Sequence, residues 1–114
     1  MLTIQNLRTY GANVDDGLQR CLNDEGFYLE MVAAVLADGN LDALEQALEN
    51  KDAQTAFEYA HALKGVYANL ALTPLYTPTA ELTELLRGAH AIPDTGDLLP
   101  RVLRALDDLR ALID

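Results

Sequence analysis

Residues 53–72 read AQTAFEYAHALKGVYANLAL. Ala56, Ala60, Leu63, Tyr67 and Leu70 recur at alternating steps of four and three. That spacing places them along one side of an α-helix, as in the seam of a helical bundle. Asp52 stands just ahead and can cap the helix, which is expected over about Ala53 to Leu72.

The same periodicity continues in both directions, and no segment alternates as a strand would. Upstream, Thr3 can cap a short opening helix with Ile4 and Leu7 inward. Asn13 can cap a second, with Asp15 and Asp16 in its positive first turn. Val14, Leu18, Cys21 and Leu22 form the apolar face of that second helix. A third helix after Asn23-Asp24 shows a wide apolar stripe of Phe27, Tyr28, Met31, Val32, Val35 and Leu36. Gly39 is placed to end it. Asn40 is expected to cap a fourth helix with Leu41, Leu44 and Leu48 on one side.

Downstream, Thr73-Pro74 restarts the chain as cap and first helical residue. This sixth helix carries Leu75, Leu82, Leu85 and Leu86, and Pro78 inside it should remove a backbone bond and bend it. Residues 88–96, with a glycine at each end and Pro93 within, form the longest loop. A last helix, from about Asp97 to Ile113, repeats the seam with Leu99, Val102, Leu106, Leu109 and Ile113. Amphipathic helices joined by short turns favour an all-α, antiparallel, up-down four-helix bundle. The short N-terminal helices would cover it. The length of 114 residues fits one domain over residues 1–114.

The bulk composition narrows the function. The formal net charge is −10, against which nucleic-acid phosphates or an anionic membrane surface are poor partners. No apolar run approaches a membrane span, and the N-terminus lacks the basic-then-apolar pattern of a secretory signal. The single cysteine, Cys21, cannot form an intrachain disulfide or a cysteine zinc cage. These features point to a reducing cytoplasm. One compact bundle suggests a monomer. The chain starts at Met1 and ends just past its last helix, which fits a free-standing protein and equally a domain excised from a larger one.

His61 is the reactive group to examine. Each helical residue turns the wheel by about 100°, so His61 falls about 140° from the seam direction and faces solvent. Its neighbours on that face, three or four residues apart or one turn further, are Phe57, Lys64, Gly65 and Ala68. A neutral imidazole can attack phosphorus and form a phosphoramidate. Lys64 can offset charge on the transferred oxygens. Gly65 removes a side chain where a partner would approach, although glycine costs about 1 kcal/mol against alanine inside a helix. Phe57 and Ala68 give an apolar rim for docking. A lone exposed histidine is usually just solvated; the weight lies in the combination. His90, in the long loop, reads as plain surface. Two distant histidines do not suggest a metal site. There is no Gly-rich phosphate loop, nucleophile elbow or Walker motif.

At these residues the chain resembles a known family. His61-Ala62-Leu63-Lys64-Gly65 matches the H-x-L-K-G motif of histidine phosphotransfer (HPt) domains in multistep phosphorelays. The likeness extends to residues 11–18, 24–31 and 52–72, and to Leu75. It implies a single HPt domain in which His61 is phosphorylated, Lys64 steadies the phosphoryl group and Gly65 admits a receiver domain. Such domains are phosphocarriers without kinase or phosphatase activity of their own. The receiver supplies the Mg²⁺ and most catalytic groups, and the carrier needs no cofactor. Arg87 falls where some members carry a second basic residue. The chain departs from the family pattern in three places. Val66 follows the motif where a small residue is usual, and Ala71 stands where glycine is usual. Thr83 stands where Gln or Glu orients the histidine ring, with Glu84 next door as the other candidate.

Two rival readings stand beside this one. An HPt-like bundle could dock a receiver or kinase without being phosphorylated. A small enzyme could use His61 as a general base, but no second catalytic group accompanies it.

Overall fold

The computed structural model describes residues 1–113. Among them there are seven α-helices and no strand: α1 (Ile4–Tyr10), α2 (Val14–Arg20), α3 (Glu25–Ala37), α4 (Asn40–Glu49), α5 (Ala53–Asn69), α6 (Thr73–Leu86) and α7 (Leu98–Ala111). The all-α antiparallel bundle expected from the periodicity is present. Helix α5 packs between α4 and α6, and α6 packs on α7.

The bundle has four rods, and the first is broken. Helix α3 begins beside the end of α5, where the buried Tyr28 hydroxyl donates to the Leu70 carbonyl at 2.9 Å. Helix α4 ends beside the start of α5, where the Asp52 N–H donates to the Ala47 carbonyl. So α4 runs along α5 in the opposite sense, and α3, separated from α4 by Asp38-Gly39, meets the C-terminal end of α5 through Tyr28. The three-residue links at 50–52 and 70–72 make α5 antiparallel to both neighbours. The Arg101–Glu81 ion pair, 3.9 Å, sets the start of α7 beside the later part of α6, as in an antiparallel pair. Helix α1 lies along α7, with the Tyr10 hydroxyl on the Ala105 carbonyl and the Asn6 amide on the Leu112 carbonyl.

Side-chain caps start four of the helices. Thr3 and Asn6 form a reciprocal capping box for α1. Asn13, Asp24 and Asp52 each accept from the N–H three residues on. The Asp52 carboxylate also accepts from the Thr55 hydroxyl at 2.7 Å, and this local hydrogen bonding holds its pKa below the usual range. Two expected caps are displaced. Gly39, not Asn40, is the cap of α4 and offers it no side-chain bond; the Asp38 carboxylate takes the Asn40 N–H instead. Leu72, not Thr73, precedes α6, so Thr73 is already helical. Gly39 also does not close α3, which stops at Ala37 with extended backbone at Asp38.

The core follows the α5 seam: Ala56, Ala60, Leu63, Tyr67 and Leu70 are all buried. Elsewhere the faces shift. On α3 only Tyr28, Val32 and Val35 are buried, while Phe27 and Met31 are exposed. On α6 Leu85 is exposed, and the buried set includes Pro78, Thr79 and Thr83. The helix runs continuously through Pro78. On α7 the buried stripe is Leu98, Val102, Ala105 and Leu109; Leu99 and Leu106 lie at its margin. On α4, Ala47 is buried and Leu48 only packs against the core. Cys21 is buried as a small hydrophobe.

Two backbone details decide how the C-terminal end of α5 is held. Helix α5 stops at Asn69, three residues short of the expected Leu72, because Ala71 takes a left-handed conformation at φ 55°. In that geometry its carbonyl accepts from the Asn13 N–H at 2.9 Å and ties α2 to the turn. Gly17 faces the Tyr28 ring so closely that a Cβ there would lie 2.6 Å from a ring carbon. Helix α2 therefore rests directly on the tyrosine that anchors α3 to α5.

Two stability predictions follow from these contacts. Ala71→Gly should stabilise the protein by about 1 kcal/mol in urea unfolding, because only the alanine Cβ is strained in the left-handed region. Gly17→Ala should destabilise it by roughly 1–3 kcal/mol through overpacking. It should also release Tyr28, whose phenol burial pushes up to about 12, so that ultraviolet titration finds one more tyrosine ionising near its ordinary value.

Candidate functional site

His61 sits near the middle of α5 on its exposed side, opposite the buried Ala60, Leu63 and Tyr67. Its direction is a consequence of packing. With the seam clamped by α4 and α6, the residue about 140° round the wheel must point outward. Phe57, one turn before, is half-buried and stacks on the imidazole: the ring centroids are 5.7 Å apart and the planes 20° from parallel. Lys64, three residues on, is also half-buried. Gly65 is exposed, and a Cβ built there would meet no atom within 4 Å. Ala68 continues the face one turn further and is half-buried. The residues expected to share the His61 face do share it.

Helix α6 adds charge from the side. Arg87 grips the Glu84 carboxylate with two bonds, Nε to Oε2 at 3.2 Å and Nη2 to Oε1 at 3.1 Å. Its guanidinium carbon lies 5.1 Å from the Phe57 ring centroid, a cation–π distance. Lys64 Nζ lies 3.9 Å from Glu84 Oε1 across the α5–α6 groove. Glu84 is thus flanked by two cations. The Arg87 bond and charge hold its carboxyl below the usual range, with lesser contributions from Lys64 and His61. Glu84 raises Arg87 in return.

Thr83 is placed differently from the expectation that it sits near the ring. It is fully buried, and its hydroxyl donates to the Thr79 carbonyl at 2.7 Å. It faces the core because Leu82, Thr83 and Leu86 make up the inward side of α6. Glu84 faces the site but is engaged by Arg87. Among the described residues no side chain hydrogen-bonds the His61 ring, and Phe57 supplies its one close aromatic contact. Phe57, expected at the rim, also stacks on the His61 ring. The i,i+4 spacing of Phe57 and His61 and the i,i+3 spacing of Glu84 and Arg87 were visible signals of both pairings. The reach of Lys64 to Glu84 depended on helix register and was not visible. His90 lies exposed in the loop before α7, as expected.

The site is a surface, not a cleft. The shallow hollow on α6 is lined by Ala80, Glu81, Glu84 and Leu85, and does not include His61. The His61 imidazole stands on an open helix face, not in an enclosed pocket.

The Hpt domain family model matches residues 30–112. The chain belongs to the Hpt domain family. No curated protein and no solved structure matches it. Hpt domains are phosphocarriers that work with receiver domains in histidine phosphorelays. In this Hpt domain the matched stretch spans α4, α5, α6 and α7 and most of α3; α1 and α2 lie outside it. No helix among the described residues is long and apolar enough to cross a membrane.

The open space at Gly65 has a consequence for stability. Gly65→Ala should stabilise this Hpt domain by up to about 1 kcal/mol, since the helix gains propensity and the methyl meets nothing. A loss of stability in thermal unfolding would mean that Gly65 is a packing residue.

Proposed function

We propose that this Hpt domain carries a phosphoryl group on His61, accepting it from the aspartate of one receiver domain and passing it to another. The supporting observation is the face of α5 itself: an outward imidazole with Lys64 one turn on and bare backbone at Gly65.

In the transfer an unprotonated ring nitrogen of His61 attacks the phosphorus of the aspartyl phosphate. The P–N bond forms as the bond from phosphorus to the aspartyl oxygen breaks, and the carboxylate leaves with the electron pair. The other ring nitrogen keeps its proton. The reverse step loads the next receiver. Stacking on Phe57 limits the ring's orientations before the partner arrives, which lowers the entropy lost on reaching the reactive geometry. Lys64 offsets charge on the phosphoryl oxygens. Arg87 is the second cation in reach. Gly65 lets the receiver backbone approach, with Phe57 and Ala68 as the apolar rim of the contact. The Mg²⁺ and most catalytic groups belong to the receiver, so the domain has no enzymatic activity alone. It works as a monomer in the cytoplasm.

Incubation with phosphorylated receivers of the source organism should label the wild type with an acid-labile, alkali-stable phosphate, and His61→Gln should abolish it. Unchanged labelling of His61→Gln would reassign the site. A wild type that binds a receiver but takes no label from any of them would instead be a docking module. Gly65→Glu should block transfer while circular dichroism shows an intact bundle; transfer at the wild-type rate would refute the role given to Gly65.

A further inference from the structure

We propose that Glu84 is an internal counter-charge that competes with the phosphoryl group on His61 for Lys64 and Arg87, and so biases the carrier toward giving the group up. This rests on the reading of His61 as the phosphorylated residue.

The geometry places one carboxylate between the two cations nearest the site. Arg87 holds it by a two-bond fork, and Lys64 stands 3.9 Å away. Both cations are therefore already partnered before any phosphoryl group arrives. The Arg87–Glu84 pair is solvent-exposed, with Glu84 at 59% and Arg87 at 50% side-chain exposure, and half-buried Lys64 is held only at 3.9 Å without a hydrogen bond, so both contacts are weak enough to exchange. A phosphoryl group on His61 would bring about −1.5 to −2 charges and three strong acceptor oxygens onto the same face. It would draw Lys64 and Arg87 toward itself, and it would be repelled by the Glu84 carboxylate they leave. Glu84 stays ionised at neutral pH, because Arg87, Lys64 and His61 all favour its charged form.

Such a carboxylate acts twice against phosphohistidine. It stabilises the unphosphorylated state by satisfying the cations, and it destabilises the phosphorylated state by like-charge repulsion. This role differs from orienting the imidazole, which no bond from Glu84 supports. The effect should be pronounced here because the chain has only 8 Lys and Arg against 18 Asp and Glu, so few other cations can substitute.

The test uses the intact protein with potassium phosphoramidate as donor. The His61 nitrogen attacks its phosphorus, the P–N bond of the donor breaks, and ammonia leaves with a proton from solvent. The ratio of phosphorylated to free His61 is read by ³¹P NMR at fixed donor and ammonia concentrations. Glu84→Gln, which keeps the side-chain shape, should raise that ratio about 3-fold, as expected for an exposed charge interaction. Glu84→Asp should stay near the wild type. Arg87→Ala should lower the ratio, and the double variant should be non-additive because the two residues share one interaction. The Glu84→Gln gain should shrink in about 1 M salt, where the Debye length falls to about 3 Å. Equal ratios for wild type and Glu84→Gln, or a gain unchanged by salt, would overturn the inference while leaving His61 as the carrier. A wild type labelled elsewhere than at His61, or not labelled by either phosphoramidate or receivers, would overturn both readings.

Discussion

Helix α5 is held by one stripe of side chains, Ala56, Ala60, Leu63 and Tyr67, and the burial of that stripe fixes where every other residue of the helix points. The two alanines are small, so α4 and α6 can come close on either side. Leu63 and Tyr67 continue the buried stripe toward the Tyr28–Leu70 anchor. Burying that stripe is favourable at about 25 cal/mol per Å² of apolar surface, and any rotation of α5 would expose it. His61 therefore cannot turn inward without unpacking the core. The exposure of His61 and the stability of the bundle come from the same contacts.

That coupling explains which parts of the molecule could be read from the sequence. On α5 the 4/3-spaced seam from Ala56 to Tyr67 is the only run that stays fully buried, with Phe57, Tyr59 and Val66 at its margins, so the outward direction of His61 followed from spacing. On α7 apolar residues stand at 98, 99, 102, 103, 105, 106 and 109, and two adjacent registers were equally apolar. Only packing against α6 chose Leu98 and Ala105 over Leu99 and Leu106. Helix α3 is apolar on most sides, so its pattern did not say that Phe27 and Met31 face outward. Cap positions at Gly39 and Leu72 were missed because a side chain able to cap need not sit where the chain bends. The alanine at 71 stood out in the sequence as a missing glycine; the left-handed backbone there gives the physical reason a glycine would fit.

The site divided along similar lines. His61, Lys64 and Gly65 lie on one helix, and helical geometry alone relates them. Thr83 and Glu84 belong to α6 and Arg87 caps its C-terminus, and their relation to His61 depends on how two helices register. The structure turns Thr83 into the core and brings Glu84 and Arg87 to the surface beside Lys64 and Phe57. The outcome is a charged cluster laid over an aromatic pair on an open face. Neither the α6 hollow nor the one bounded by Tyr67, Ala68 and Tyr76 is lined by His61.

The most direct measurement is localisation of the phosphate. After exchange with a phosphorylated receiver, the Hpt domain would be kept at alkaline pH, digested, and sequenced by mass spectrometry with a fragmentation method that preserves phosphoramidates. The account predicts phosphate on the imidazole of His61 and on no other side chain. Phosphate on His90 or on a carboxylate, with His61 unmodified, would contradict it.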